Sequence, residues 1–196
     1  MTTMQTDRHA VAQAVHDLGS ALWFGGSTMG VVGVNASGRD LKDGADRIRV
    51  ASSAWQRFAP VQWAGIAATL LAGLDLTRSS GGRIALQKGF ATVGSAKAAL
   101  AVAGTAASAY AAFCGNRIAK ATAEAEDRGE SIEVTDATTP TEHTPQAIAK
   151  WQRQQRFVQY LGPVLAGANI AAGSQLAQSY RTGPTMRGAL GRLLPG

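Results

Sequence analysis

The sequence predicts an all-α protein, built as an up-down bundle of four transmembrane helices that extend beyond the membrane. Charged residues make up 16% of the 196 residues, and they are absent from four long windows. These windows are residues 18–38, 58–74, 98–116 and 157–180, with lengths of 21, 17, 19 and 24 residues. A helix that crosses a bilayer needs about 20 apolar residues. Four windows of this length therefore indicate four spans.

The composition of the windows favours helix over strand. They are rich in alanine and glycine rather than in β-branched and aromatic residues. Pro60 and Pro163 lie inside two windows, and membrane helices tolerate proline where neighbouring groups satisfy the freed carbonyl. Helical sequence continues past the windows, as ADRIRVASSAWQR before the second, NRIAKATAEAE after the third and PQAIAKWQRQQR before the fourth. We therefore expect these helices to project from the membrane.

The chain is predicted to form a single domain over residues 1–196, interrupted by one linker. Residues 127–145, DRGESIEVTDATTPTEHTP, are acidic and rich in threonine, and they include Pro140 and Pro145. A segment of this composition buries too little apolar surface to form a core of its own. We therefore predict an exposed, partly disordered linker between the third and fourth helices.

Small and polar residues recur at helical spacing within each window. In lipid there is no hydrophobic attraction between helices, so close association depends on small residues and on hydrogen bonds between helices. These lines of residues favour one bundle over four separate spans. The residues predicted to pack between helices are Trp23, Gly25, Gly26, Gly73, Gly104, Asn169 and Gly173.

A polar cluster is predicted at one end of the bundle. In an up-down arrangement the first helix begins, the second ends and the third begins on the same side, which brings together His16, Asp17, Asp75 and Lys97. Lys97 lies about 12 Å along the third helix from its expected start at Gly89, a depth at which an unpaired ammonium is costly. We expect Lys97 to pair with Asp17 or Asp75, or to extend its ammonium group to the surface. The cluster is a candidate ligand site.

Nucleic-acid binding and serine hydrolase chemistry are both disfavoured. The net charge is +6, but the 19 Lys and Arg residues are dispersed rather than gathered with aromatic residues on one face, so we expect no nucleic-acid partner. A catalytic triad would have to combine Ser20 or Ser27 with His16 and Asp17 on one helix, where neighbours in sequence point apart. We therefore expect that the protein is not an enzyme.

Several short motifs resemble one family of membrane proteins. They are HDLGSALWFGG in the first helix, QRF at the head of the second, Gly73 near its end, Lys97 inside the third and NR at its exit. Together they are similar to the four-helix transmembrane domain of the copper resistance protein D (CopD) family, over three of the four spans. The residues carried over are His16, Trp23, Gly25, Gly26, Arg57, Phe58, Lys97 and Arg117. The resemblance implies a multi-pass protein of the bacterial cytoplasmic membrane with links to copper.

Three readings of function remain open at this point. The first is a subunit or scaffold of a larger membrane assembly, with lipids, other membrane subunits or further copies of the chain as partners. The second is a CopD-like domain that handles copper, haem or another small ligand; His16 is the candidate metal ligand, because His9 lies seven residues before it on the same helix face. The third is a soluble four-helix bundle, since a mean hydropathy of −0.03 is also ordinary for a globular chain.

Overall fold

The structure is a computed structural model that describes residues 3–79 and 88–179, and this part of the chain is helical apart from one short hairpin. Its long helices are α1 (Thr3–Met29), α2 (Gly44–Ser79), α3 (Lys88–Asp127) and α4 (Gln146–Ser179). The all-α fold class is thus confirmed for the described residues. The rest of the predicted domain, residues 1–2, 80–87 and 180–196, lies outside them.

Two of the helices are long and apolar enough to cross a membrane. They are α2 and, within α3, the stretch Thr92–Asp127. In the most apolar window of each, only 22% and 28% of the residues are buried inside the protein, which is less than a core helix of a soluble protein would bury. With 36 residues, α2 is about 54 Å long, well beyond the roughly 30 Å of a bilayer's hydrocarbon core.

The end of α1 changes its helical form. It continues directly into a π turn at Gly30–Val34, then into α-helical Asn35–Ser37 and a 3₁₀ turn at Gly38–Asp40. The Asn35 N–H donates to the Gly30 carbonyl, five residues back, which is the hydrogen bond that defines a π turn. Asn35 directly follows this turn, and its side chain is buried.

The four helices pack side by side, each antiparallel to its neighbour in sequence. α1 lies along α2 and α3 lies along α4, while α1–α4 and α2–α3 contacts close the ring. Gly19 and Gly65 bring the backbones of two helices close together: a Cβ atom on Gly19 would lie 2.7 Å from the Gly65 carbonyl oxygen. Only residues without a side chain allow the backbones of α1 and α2 to come this close.

The interior is divided into two layers along the helices. We call residues 39–57 and 117–156 the cap; its hydrophobic core consists of Ile48, Ile118, Ala121, Ala125, Val134 and Ile148. The other layer contains the stretches without charge at 18–38, 58–74, 98–116 and 157–179, and we call it the charge-free layer. Its apolar centre is Trp23 packed with Ile66, Ala166 and Leu70.

The segment at 127–145 is folded into the cap, and the prediction of an exposed linker is wrong for its second half. Residues 127–131 are exposed, but Val134–Asp136 pairs with Thr139–Pro140 in an antiparallel hairpin. Val134 and Thr144 are buried. As its composition indicated, the segment has no core of its own. Val134 is instead part of the hydrophobic core of the cap.

Side chains from three helical elements hold the hairpin in place. The Gln152 side chain of α4 donates from Nε2 to the carbonyls of Asp136 and Ala137, at 3.2 Å each. From the 3₁₀ turn, the Arg39 guanidinium donates to Asp136 Oδ2 at 2.8 and 3.1 Å, and Arg47 of α2 donates to the Val134 carbonyl at 2.5 Å. The hairpin therefore depends on contacts distant in sequence.

Asp136 makes the stability of the cap depend on pH. Burial opposes its ionisation, but the Thr138 N–H at 2.9 Å from Oδ1 and the Arg39 guanidinium outweigh burial, so the pKa of Asp136 lies below its ordinary value. The stabilisation is therefore fully present above the unfolded-state pKa of about 3.9, and it is lost as the pH falls through the lower folded-state pKa.

We expect Asp136→Asn to lower the free energy of unfolding by about 2 kcal/mol at pH 7, because hydrogen bonds to a charged group are lost. The deficit should shrink below about pH 3.9, where the wild-type carboxylate also becomes protonated. Urea unfolding of the purified protein between pH 2 and pH 7 measures both. Glu142→Gln, at an exposed carboxylate of the same segment, is the control. An Asp136→Asn deficit that is the same at every pH would contradict this assignment.

Candidate functional site

Polar side chains on the inner face of α1 bond to neighbouring helices. Each of the three pairs joins α1 to another helix within the charge-free layer: Ser20 with Thr69 at 3.2 Å, Gln62 donating to Ser27 at 2.9 Å, and Trp23 Nε1 donating to Ser108 Oγ at 3.1 Å. Hydrogen bonds between polar side chains of neighbouring helices are typical of helices that pack within lipid. They fix α1 against α2 and α3.

The structure places five of the predicted packing residues at contacts between helices. Trp23 is fully buried, and a Cβ atom added at each of four glycines would meet a side chain of another helix: Gly26 the Phe58 ring, Gly73 His16, Gly104 the Trp23 indole and Gly173 Lys97. These glycines make room for larger partners. The Phe58 and Trp23 rings could not keep their positions if Gly26 and Gly104 carried side chains, whereas an added Cβ atom at Gly73 would only touch His16, at 3.4 Å.

Gly25 and Asn169 behave differently from these five. Gly25 is exposed, and a Cβ atom there would meet nothing within 4 Å, so its predicted packing role within this chain is wrong. It lies about 100° around the helix from Gly26 and therefore faces outward. Asn169 is buried at 1% exposure, but its Oδ1 has no hydrogen-bond partner among the described residues.

The predicted polar cluster is divided between two sets of contacts. His16 is buried against Gly73, and its Nδ1 lies 3.1 Å from Asp17 Oδ1. Asp75 instead forms an ion pair at 3.3 Å with Arg8, a residue that sequence patterns did not single out. Both of these charged side chains are well exposed to solvent, and a surface pair of this kind adds little stability.

Of the two arrangements expected for Lys97, the ion pair with Asp17 or Asp75 is not formed within the described part of the chain. Its ammonium nitrogen lies beside Gly173 of α4, 3.1 Å from the position a Cβ atom would take. Lys97 is half-buried and remains within electrostatic range of Asp17. The four predicted residues thus share one end of the protein but do not converge on a common point.

A cavity of about 210 Å³ lies between the helices, at the boundary of the cap and the charge-free layer. All four helices and the hairpin contribute to its walls, and the polar and aromatic side chains that line it include Ser27, Trp55, Gln62, Trp63, Ser108 and Gln155. The cavity is larger than the roughly 150 Å³ that suffices for benzene in an engineered protein. This cavity is the candidate functional site.

A hydrogen-bonded chain of side chains forms the cap side of the cavity. Trp55 Nε1 donates to Asn35 Oδ1 at 2.8 Å, and Asn35 Nδ2 donates to Gln159 Oε1 at 2.8 Å. Gln159 Nε2 then reaches Thr138 Oγ1 of the hairpin at 3.5 Å. The chain crosses α2, the end of α1, α4 and the hairpin, so these polar groups are held in fixed directions.

The chemistry available in the cavity is hydrogen bonding and apolar contact. Among the described residues that line it, none is charged and none is a histidine or cysteine. Across residues 3–79 and 88–179, no group of three or more His, Cys, Asp or Glu side chains lies together to hold a metal ion, and this includes the surroundings of His16. The cavity is therefore suited to binding a neutral molecule.

Several residues of this site carry little signal in the sequence. The residues that recur at helical spacing in the charge-free windows do not include Trp55, Asn35 or Gln155. No short motif contains these three residues either. A weak signal is present in α4, where Gln152, Gln155 and Gln159 recur at helical spacing. All three are buried. Glutamines repeated on one helix face next to an apolar window can therefore indicate a buried polar face.

Comparison with known proteins adds no relative to this description. No family model, no curated protein and no solved structure matches the chain. The resemblance to the CopD family therefore stays a prediction that rests on short sequence motifs. The geometry of the chain itself is the basis on which its function can be inferred.

Proposed function

We propose that the chain is a multi-pass protein of the bacterial cytoplasmic membrane, that it acts by binding rather than by catalysis, and that it is a subunit or scaffold of a larger membrane assembly. The observation that supports membrane insertion is the distribution of side chains in the charge-free layer. Large apolar residues lie outside, and polar residues lie inside.

Each helix contributes to the apolar exterior. The exposed fractions are 68% for Leu18, 69% for Leu71, 65% for Val102 and 76% for Phe157, one residue from each helix. In the same layer Ser20, Ser27, Thr69, Ser108 and Asn169 are buried. A soluble protein gains free energy by the opposite arrangement, because apolar surface is then removed from water. Lipid reverses this preference, and buried polar groups then bond between helices.

The exposed face of α3 supports a role as a subunit. Ala96, Ala99, Ala103 and Ala106 recur at spacings of three and four residues, and all four are exposed. Small residues on one face of a spanning helix allow the backbone of another helix to approach closely. The partner proposed for this face is a helix of another membrane subunit or of a second copy of the chain.

One fractionation experiment tests both parts of the proposal. We expect the protein to stay in the membrane pellet after an alkaline carbonate wash, and to migrate in mild detergent as a complex larger than its 20.2 kDa monomer. Ala103→Trp should release the monomer because it obstructs the alanine face, whereas Leu18→Trp on the outer side of α1 is the control. Recovery of the wild type in the carbonate supernatant would overturn membrane insertion, and a wild-type monomer would overturn the subunit role.

Ligand handling is the second candidate function. The cavity favours it, because small-molecule sites are concave, mostly apolar and carry a few polar groups that fix orientation. The CopD-like form of this function, with copper or haem as the ligand, is supported only by the short motifs. The cavity itself offers hydrogen bonds and apolar contacts, and its described lining contains no histidine or cysteine that could bind a metal.

A further inference from the structure

Three basic side chains share the outer edge between α3 and α4, where the cap meets the charge-free layer. They are Arg117 of α3 and Lys150 and Arg153 of α4, all exposed, and we call them the basic edge. The Arg117 guanidinium carbon and the Lys150 ammonium nitrogen lie 5.1 and 5.2 Å from the centre of the same ring, that of Trp151. Lys150 and Arg153 are three residues apart and are therefore neighbours on the surface of α4. Positive charge is thus concentrated in one small exposed area.

No carboxylate neutralises the basic edge within the described residues. None of its three members forms an ion pair in this part of the chain. The α4 helix contains no Asp or Glu, and the acidic residues of α3 begin at Glu124, about 10 Å along the helix beyond Arg117. Like charges gathered without a counter-charge repel one another and attract anions. The basic edge therefore favours an anionic partner.

Exposed apolar side chains continue from the basic edge into the charge-free layer. On α4, Phe157 and Leu161 follow it, and they are 76% and 50% exposed. On α3, Phe113 and Tyr110 precede it, and they are 48% and 45% exposed. On each helix the basic and apolar residues recur at spacings of three and four, so they share one face. This surface is basic at the cap and apolar next to it, which matches an amphiphile with an anionic head.

The aromatic residues make this part of the surface more suitable for lipid than for a partner helix. Ala103 and Ala106, earlier on α3, leave room for another backbone, but the rings of Tyr110 and Phe113 project from the surface and hold a backbone away. The two rings stack with their centroids 6.1 Å apart, and Phe113 packs edge-on against Trp151. Flexible acyl chains adapt to such a surface. Aromatic residues beside basic ones are also typical of the level of lipid headgroups.

We infer that the basic edge binds the headgroup of an anionic phospholipid, whose acyl chains lie along Phe113 and Phe157. The planar guanidinium of Arg117 donates to phosphate oxygens, and the ammonium group of Lys150 adds a second positive charge. A zwitterionic headgroup brings its own cation and gains less from this surface. The inference rests on the proposed membrane insertion, and it names the class of lipid that contacts the cap side of the protein.

Competition for a labelled lipid tests the inference on the full chain, immobilised on a resin in a mild non-ionic detergent. The probe is phosphatidylglycerol with a fluorophore at the end of one acyl chain, so that its headgroup is unmodified. We expect the protein to retain the probe, and unlabelled phosphatidylglycerol to displace it at about tenfold lower concentration than phosphatidylcholine with the same acyl chains. An excess of inorganic phosphate or of hexaglutamate should not displace it, because neither has an acyl chain to lie against the aromatic residues.

Matched variants locate the bound headgroup. The double variant Arg117→Gln with Lys150→Gln should remove the preference, so that the two unlabelled lipids displace the probe equally well. Lys42→Gln with Arg128→Gln removes the same charge from exposed positions at the far end of the cap, and it should keep the wild-type preference. Arg117→Lys with Lys150→Arg keeps both charges and should also keep it, which separates charge from packing against Trp151. Arg153→Gln alone should reduce the preference about threefold.

Each result supports or overturns the inference. It is overturned if the wild type shows no preference between the two lipids, or if the preference survives in Arg117→Gln with Lys150→Gln. Arg153→Gln provides the decisive comparison if that double variant does not fold. Displacement by phosphate would assign the basic edge to a free anion, and displacement by hexaglutamate would assign it to an acidic protein. A protein that stays in the carbonate pellet but binds both lipids equally overturns this inference alone, whereas recovery in the carbonate supernatant overturns membrane insertion as well.

Discussion

Trp23→Ala should lower the free energy of unfolding by about 4 kcal/mol, the loss typical of a buried aromatic residue truncated in a packed core. Trp23 is fully buried and is the centre around which Ile66, Ala166 and Leu70 pack. The truncation also removes the donor to Ser108. Unfolding by a denaturing detergent, followed by circular dichroism, measures the change.

Two further variants separate the causes of this loss. Trp23→Phe keeps an aromatic ring but removes the N–H donor and part of the volume, so the expected loss is smaller, about 2 kcal/mol. Phe157→Ala removes an aromatic side chain that is 76% exposed, and it should cost less than about 1 kcal/mol. Equal losses for Trp23→Ala and Phe157→Ala would show that Trp23 is not the centre of the packing.

Gly19→Val should destabilise the protein by about 3 kcal/mol and separate α1 from α2, because backbone atoms rather than flexible side chains occupy the space. A Cβ atom at Gly19 would lie 2.7 Å from the Gly65 carbonyl oxygen and 2.8 Å from Ala68 Cβ. Denaturation in detergent measures the loss, and a cysteine pair across the α1–α2 contact would report the separation as slower cross-linking.

Gly25→Val is the matched control for Gly19→Val. Both residues lie in α1, but Gly25 is exposed and has open space around it. The same substitution there should change the free energy of unfolding by less than about 0.5 kcal/mol. Helix propensity favours valine over glycine at both positions, so an equal loss for Gly25→Val and Gly19→Val would show that the α1–α2 contact is not the cause.

The helices were predictable because their signal lies within each segment. The absence of charge and the abundance of alanine extend over each window, and the helices α2, α3 and α4 also include the flanking stretches that were expected to continue them. The hairpin was not predictable, because strands of three and two residues show no alternation. Its position is fixed by Arg39, Arg47 and Gln152, which lie far away in the sequence or in a different element.

The candidate site was less predictable than the fold. Periodicity indicates which residues share a face, but it does not indicate which of two adjacent residues faces a partner, and Gly25 and Gly26 show this difference. The polar cluster was placed at the correct end, but Arg8 rather than Lys97 pairs with Asp75. Long basic side chains reach several positions, so a pairing between helices requires coordinates.

The π turn at Gly30–Val34 places a constraint on chain length. Each α-helical residue turns the chain by about 100°, so Asn35, eight residues after Ser27, would point about 80° away from the face that Ser27 occupies. A π turn holds one additional residue and removes roughly that rotation, which returns Asn35 to the inner face beside Trp55 and Gln159. In homologues that keep this amide network, the number of residues between Ser27 and Asn35 is therefore fixed, and residue 30 must stay a glycine, because a Cβ atom there would lie 2.2 Å from the Trp55 ring.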